Sequence, residues 1–526
     1  MSAALVALAV FPLAVALVSW RAPVAASKAL TVASGTAAFV LSLALVPGAA
    51  SGHVAAAGSL LRADSLSVVF LVPTTFLYAT TAVFAAGYLH DGSSGERRRY
   101  GRRFYAGTNL FCWAMAVAPI VNGLALLWVA IEVTTVVSVL LVAIESTDRA
   151  AEAAWKYVLL ASLGLGLALL ATTILYYAGS RVFGPSYDLT YAKLLSPAAD
   201  RFDPGAVRLA YVLAVLGYGT KMGLVPVHTW LPDAHSEAPT PVSSLLSASL
   251  LALSFYAILR YFEVTERSAG TQFARTVLLV FGLASLALAA LYLLSQRDLK
   301  RLLAYSSVEH MGILAIGMSF GARIAIVGVL LHVLAHAAAK GTAFCGAGSI
   351  VRKFKTKDMA RIRGGAGLLP VSGPMFVAAV LALSAAPPFG IFRSEFLIVT
   401  GGLSDPADAV VAILVVLVTL AFLGLSWAAT RTMLTPAPEP HAHAAGGDPS
   451  AASVAAAARG DVAAGAVAAL SPPAGVGTDL TRGEPSWLIV VAMAAGLLAL
   501  AVLGVHVPGQ LSELLHRAAD QIGSAR

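Results

Sequence analysis

Charge is scarce in this chain. Asp, Glu, Lys and Arg make up 12% of its 526 residues, about half the share of an ordinary soluble domain, so the water-facing surface of a separate soluble catalytic domain cannot be built from it. A soluble NAD- or ATP-dependent enzyme is thereby excluded. Cysteine is scarcer still. Cys112 and Cys345 both lie inside apolar segments and belong to no CxxC or Cys/His cluster, which leaves a disulfide framework, an iron–sulfur site and a structural zinc without ligands. Both are expected to pack as small apolar residues. The first apolar run, 3–19, has no basic residue before it and no separate mature domain after it, so it reads as a first span and not as a cleaved signal.

What is abundant is apolar sequence: 58% of the residues are hydrophobic and the mean hydropathy is +0.82. Apolar runs of about 20 residues, the length that crosses a bilayer core as a helix, recur from end to end. Charge clusters and Pro/Gly breaks divide them into spans near 3–19, 28–48, 66–89, 107–121, 122–143, 153–178, 206–228, 240–262, 272–295, 300–319, 322–350, 369–402, 407–431 and 486–505. The expected fold is therefore all-α and integral to the membrane, with 14 transmembrane helices. An even count puts both termini on one side. The formal charge is +8, and such an excess of Lys and Arg marks cytoplasmic loops and not a nucleic-acid surface. The basic clusters Arg97, Arg98, Arg99, Arg102 and Arg103, and Arg352 to Arg363, fall on the set of loops opposite the termini. Both termini are thus expected to be extracytoplasmic.

Five regions follow: N-terminal helices 1–106, a first half-channel repeat 107–262, a second 272–431, a flexible loop 432–485, and the last span with an interfacial tail 486–526. The loop is rich in Ala, Gly and Pro and carries His441 and His443, read as part of a mobile inner segment and not as a metal site. In the tail, Leu511, Leu514, Leu515, Ala518 and Ile522 share one helical face.

Ionisable side chains inside a bilayer are costly and need a partner, a wet cavity or a function. Glu132, Lys221, Glu309, His310, His332, His336 and Lys340 all lie within expected spans, and Arg393 and Glu395 follow a break at Pro387, Pro388 and Gly390. Spacings of four set His332, His336 and Lys340 on one helical face, each step rising about 6 Å. Three titratable groups in register make a relay. Lys221 precedes Pro226, and Pro232, Pro239 and Pro241 follow, so this segment cannot be an unbroken helix. The two breaks read as equivalent elements of an inverted repeat, which in transporters points to the ion pathway. A lysine from another span would let Glu132 stay ionised, and a Glu132–Lys221 pair that opens and closes would act as a switch. Glu309 and His310, adjacent on a helix, diverge by about 100°; His310 is expected on the central axis and Glu309 against a neighbouring helix or subunit. Asp298, Lys300, Arg301 and the basic residues near 352–363 read as solvated loop clusters without chemistry.

The stretches KMGLVPVHTWLPDAHSEAPTPVSSLL, SQRDLKRLLAYSSVEHMG and HVLAHAAAK resemble the antiporter-like subunits shared by respiratory complex I, Mrp-type cation/proton antiporters and membrane-bound hydrogenases. The wording AYSSVEHMG is most similar to the hydrogenase-4 component F branch. The resemblance implies that Glu132 and Lys221 are the Glu–Lys pair of a first half-channel, that Lys340 is the central lysine of the second, that His332 and His336 are the histidines preceding it, and that Glu395 ends the exit path. His228, Tyr256, Lys156 and Arg393 are the supporting candidates. Relatives carry a His or Lys on the helix after PTPVS, whereas this chain has Ser247 and Ala252. Water, Tyr256 or the pair Glu309 and His310 must then bridge Lys221 to Lys340.

By the same resemblance the chain is a proton-translocating subunit of a multi-subunit, hydrogenase- or complex I-like assembly in a prokaryotic cell membrane. It is expected to hold no cofactor. A nickel–iron centre and iron–sulfur clusters, or quinone, would sit on partner subunits. The rival expectations are an Mrp-type cation/proton antiporter, a proton channel energising a bicarbonate-accumulating complex, and a structural anchor.

Overall fold

The computed structural model describes residues 1–89, 94–404, 407–435 and 481–523. Helices α1 (Ser2–Ser19) and α2 (Val24–Ser51) lead into an antiparallel hairpin, β1 (His53–Ala56) and β2 (Leu61–Asp64). Asp64 caps α3 (Ser65–Tyr88), its carboxylate accepting from the Ser67 N–H at 2.9 Å, which satisfies one of the free donors of a helix start. Next come α4 (Gly95–Val117), α5 (Leu124–Val142), α6 (Asp148–Phe183), the short α7 (Tyr191–Leu194), α8 (Pro204–Met222) and α9 (Trp230–Glu237). The helix α10 (Thr240–Leu245) passes through a π-helical turn, Leu246–Leu250, into α11 (Leu251–Ala269). The rest are α12 (Thr271–Leu293), α13 (Leu299–Phe320), α14 (Arg323–Phe354), the short α15 (Gly365–Leu368), α16 (Ser372–Leu383), α17 (Gly390–Ser404), α18 (Asp408–Met433), α19 (Trp487–Val505) and α20 (Gly509–Gly523).

Among the described residues, ten helices are long and apolar enough to cross a membrane: α1, α2, α3, α5, α6, the joined α10–α11, α12, α14, α18 and α19. The chain is a multi-pass membrane protein. The other four expected spans are helical but fall short on composition or length. The α4 helix opens on Glu96 and five arginines, α8 carries Arg208 and Lys221, α13 carries Lys300, Arg301 and Glu309, and residues 372–404 are split into helices of 12 and 15 residues. The loop histidines His441 and His443 lie outside the described residues.

Two helices form the axis of the bundle. The apolar window of α10–α11 is 100% buried and that of α14 is 89% buried, against 28% for α18, so α10–α11 and α14 can hold polar groups away from lipid. Around them helices pack through small residues, the usual means of close approach in a bilayer. A Cβ on Gly164 of α6 would lie 2.8 Å from the Gly217 carbonyl of α8, and one on Gly282 of α12 would lie 3.0 Å from the Gly312 carbonyl of α13. The tail helix α20 buries Leu514, Leu515, Ala518 and Ile522 against α2, α3, α11 and α14, and Asp520 pairs with Arg323 at 2.5 Å.

Candidate functional site

The first helix break is built by Gly223. Its φ of +85° ends α8 one residue after Met222, a conformation glycine adopts at little cost. The expected span 206–228 therefore stops early. Backbone groups freed by the break are retaken by side chains, as a bilayer interior requires: Trp230 Nε1 donates to the Thr220 carbonyl at 2.7 Å, and Ser285 Oγ accepts from the Val225 N–H at 2.9 Å. Tyr157 stacks on Trp230 with ring centres 4.3 Å apart, which fixes the indole.

Lys221, on the last turn of α8, is completely buried. It donates to Thr134 Oγ1 at 2.7 Å, Thr135 Oγ1 at 2.6 Å and the Ile131 carbonyl at 3.2 Å, all on α5. These atoms belong to the turn that carries Glu132. The two charges do not touch: Lys221 is held by three neutral oxygens, and Glu132 Oε2 is buried without a hydrogen-bond partner. The hydroxyls of Thr134 and Thr135 replace the water shell of the ammonium, a role that apolar-run reading gives no reason to assign to them.

The second cluster centres on α14. Lys340 donates to the Leu303 carbonyl at 2.8 Å and to Ser306 Oγ, both on α13. His310, His332 and His336 are fully buried, with ring centres 5.1 Å apart for His310 and His332, 5.1 Å for His310 and His336, and 6.3 Å for His332 and His336. Hydrogen-bond donors fix the tautomers. Ser394 Oγ donates to the Ile391 carbonyl at 2.7 Å, so it accepts from His332 Nδ1–H at 2.9 Å. A neutral His332 then offers a lone pair at Nε2, which accepts from His310 Nδ1–H at 3.1 Å. That leaves His310 Nε2 as a buried lone pair with no hydrogen-bond partner, and both nitrogens of His336 are likewise unpartnered. A proton arriving at His310 Nε2 can thus leave from Nδ1 to His332, with water or a ring rotation supplying the step from His336.

After the second break, α17 brings Glu395 to this cluster: a carboxylate oxygen and one nitrogen each of His310 and His332 lie within 4.8 Å of one another. Glu395 also lines a cavity of about 250 Å³ with Ile313, Phe392, Phe396 and Val415. Glu309 is buried, and its Oε2 has no hydrogen-bond partner. At the position lacking a titratable bridge, Ser247 Oγ in the π turn hydrogen-bonds Ser307 Oγ at 2.6 Å, and Ser307 donates to the same Leu303 carbonyl that accepts from Lys340.

The supporting candidates scatter. His228 is buried with Nδ1 unpartnered, its ring 6.5 Å from that of Tyr305. Lys156 is exposed and pairs with Glu152 at 2.6 Å and Asp233 at 3.3 Å. Arg393 is half-buried on α17. Tyr256 belongs to a different cluster: its hydroxyl donates to the Pro119 carbonyl at 3.1 Å and accepts from Arg260 at 3.0 Å.

Three groups escaped the sequence reading. Lys300 is not a solvated loop residue: it is 4% exposed and donates to the Ser236 and Ala238 carbonyls at 3.2 and 2.5 Å. The signal was its spacing, because Lys300 shares a helical face with the buried Leu303, Ala304 and Ser307. His235, inside WLPDAH, is buried with Nε2 unpartnered and its ring 6.0 Å from Phe344 of α14, one turn beyond Lys340. Arg260 is buried midway along α11, bound to Asp64 at 2.6 Å and to Glu263 at 3.1 Å. Gln521 of α20 donates to both carboxylates, at 3.2 Å and 2.9 Å. Near the end of an expected span its charge suggests snorkelling to water, and only the packing of β2 and α20 over it closes that route. Replacing Arg260 with Met leaves two buried carboxylates unpaired and is expected to destabilise the chain by about 3–5 kcal/mol. Thermal unfolding of the purified protein measures this, with Arg267→Met, whose partner Asp200 is exposed, as the mild control.

Comparison with known proteins agrees with this geometry. Residues 121–422 match the family described as NADH:quinone oxidoreductase/Mrp antiporter, TM. A hydrogenase-4 component F homolog of Methylacidiphilum infernorum (isolate V4) is 37% identical over 346 residues, covering 65% of this chain and 72% of that protein. The NADH-quinone oxidoreductase subunit N of Desulforudis audaxviator (strain MP104C) is 32% identical over 403 residues, 72% of this chain and 78% of that protein. The fold resembles a chain of the Mrp complex from Dietzia sp. DQ12-45-1b, with a TM-score of 0.77 at 22% identity over 99% of this chain and 98% of that one. It resembles equally a chain of respiratory complex I from Thermus thermophilus, with a TM-score of 0.77 at 20% identity over 99% of each chain. Because the matched segment takes in both helix breaks and the ionisable side chains from Glu132 to Glu395, the chain belongs to the NADH:quinone oxidoreductase/Mrp antiporter transmembrane family.

Proposed function

We propose that this chain is a proton-translocating, antiporter-like membrane subunit of a multi-subunit hydrogenase- or complex I-like assembly, moving protons along its buried Glu, Lys and His residues. The observation that carries this reading is the buried row Lys340, His336, His310, His332 and Glu395, in which His310 is hydrogen-bonded to His332, the rings of His310 and His336 lie 5.1 Å apart and Glu395 lines a cavity. The groups between Lys340 and Glu395 are imidazole nitrogens. An imidazole can accept a proton at one nitrogen while donating from the other, whereas sodium favours hard oxygen ligands, which supports protons as the transported species.

Contacts between loops support their division into two sets on opposite sides, as a 14-span arrangement requires, and the Lys and Arg bias between the sets supports extracytoplasmic termini. Loops expected inside gather together: Lys357 pairs with Glu237 at 2.7 Å, the Leu299 N–H donates to the Lys357 carbonyl at 2.9 Å, and Lys156 reaches Asp233. Groups expected outside meet one another in the Asp64, Arg260, Glu263 and Gln521 cluster. On this arrangement the inward face leads through Lys300 and His235 to Lys340, and the two broken helices are equivalent members of an inverted repeat. Nickel–iron, iron–sulfur or quinone chemistry belongs to partner subunits, whose conformational changes would open and close the Glu132–Lys221 pair.

Purification of the tagged chain from its native membrane, with identification of what accompanies it, tests the assembly. Redox subunits of hydrogenase or complex I type are expected, together with loss of substrate-driven proton uptake by inverted vesicles when the chain is deleted. Isolation without redox partners, combined with sodium-driven proton exchange, would move the chain to the Mrp-type antiporter reading.

A further inference from the structure

The geometry points to a binding site for one divalent transition-metal ion, of the zinc type, formed by His310, His332 and Glu395. Their ligand atoms lie within 4.8 Å of one another. His310 Nδ1 and His332 Nε2 are 3.1 Å apart, close to the separation of about 3.4 Å between two nitrogens bound to one tetrahedral zinc at about 2.05 Å each. Bringing the carboxylate oxygen from within 4.8 Å to the same spacing takes a displacement of up to roughly 1.5 Å. Two imidazoles and one carboxylate are a ligand combination zinc accepts with its fourth position left to water.

Three features make this more than a coincidence of side chains. The orienting partner is already in place, because Ser394 Oγ accepts the Nδ1 proton of His332 at 2.9 Å and turns Nε2 towards the site, as the outer hydrogen bonds of metal-binding histidines do. Room for the fourth ligand is adjacent, since Glu395 also lines a cavity of about 250 Å³. Finally, the proton that His310 must give up at Nδ1 can be carried at Nε2, which is now a buried lone pair without a partner on the ring that faces His336. Metal binding therefore exchanges one hydrogen bond and one tautomer for three coordinate bonds. Nitrogen donors favour zinc, cobalt or copper over magnesium and calcium.

Binding depends on this geometry alone; its consequence rests on the proposed proton path. The ion would occupy the lone pair and the proton by which His310 and His332 communicate, and would hold Glu395, so a metal-loaded chain conducts no protons through the second half.

The test uses the purified full chain in detergent, stripped of metal and titrated calorimetrically with Zn²⁺ alone and then with Mg²⁺ alone. One Zn²⁺ site is expected that Glu395→Gln, His310→Ala and His332→Ala each weaken at least about tenfold, with Ser394→Ala, the gentlest change, weakening it by roughly 10-fold through the outer hydrogen bond. His336→Ala should leave the affinity unchanged, and binding by other histidines is a background common to all variants. Co²⁺ in place of Zn²⁺ should give the visible absorption of a tetrahedral site in the wild type and lose it in Glu395→Gln. Unchanged Zn²⁺ affinity in Glu395→Gln and Ser394→Ala, or Mg²⁺ binding as tight as Zn²⁺, overturns the site. If Zn²⁺ binds as described but proton uptake by the complex is not inhibited, the site stands and the proton path through these residues fails.

Discussion

Lys340→Ala is expected to lower coupled proton translocation by roughly a hundredfold, the scale of losing one positioned proton-transfer group, while the protein still inserts and assembles. Lys340 is held by neutral oxygens, the Leu303 carbonyl and the Ser306 hydroxyl, and no opposite charge is in contact with it. Its removal breaks no ion pair in direct contact and so avoids the penalty of cutting a buried salt bridge. The loss should therefore appear in transport and not in yield. Single His→Ala substitutions at His332 or His336 should cost less, roughly tenfold or below, because a water in the vacated space can pass a proton but cannot store a positive charge. Proton uptake by reconstituted complexes, normalised to assembled protein, ranks the three. Transport that survives Lys340→Ala and stops in both histidine variants would invert the assigned roles.

Lys221→Met should abolish coupled transport to a similar degree, and Lys221→Arg should not rescue it. The arginine would keep a positive charge within reach of the Thr134 and Thr135 hydroxyls, but a guanidinium does not release its proton in proteins. A static ion that merely tethers α5 to α8 would be replaced well by arginine; a carrier would not. Transport by the arginine variant at the wild-type rate would therefore reduce Lys221 to a packing charge. Glu132→Gln, leaving the lysine in its cage of neutral oxygens, should slow transport less than either substitution at Lys221, since the carboxylate acts on the lysine without touching it in this conformation.

Ten apolar spans, the two helix breaks and the shared helical face of His332, His336 and Lys340 were determined by the sequence, because each follows from a local rule. Twenty apolar residues need a helix in a bilayer, prolines clustered in one segment interrupt it, and residues four apart share a face. What tertiary structure decided is which groups meet. Lys221 finds Thr134 and Thr135 and not the Glu132 carboxylate, Glu395 crosses from α17 to His310 and His332, Ser247 reaches Ser307, and Lys300 turns inward to the end of α9. Arg260 is closed off from water by a hairpin almost two hundred residues before it and a helix more than two hundred after it. The physical reason is rotation: a helix turns about 100° per residue, so the partner a buried charge meets depends on how each helix is turned against its neighbours. Contacts between distant segments set that angle, and no local pattern records it.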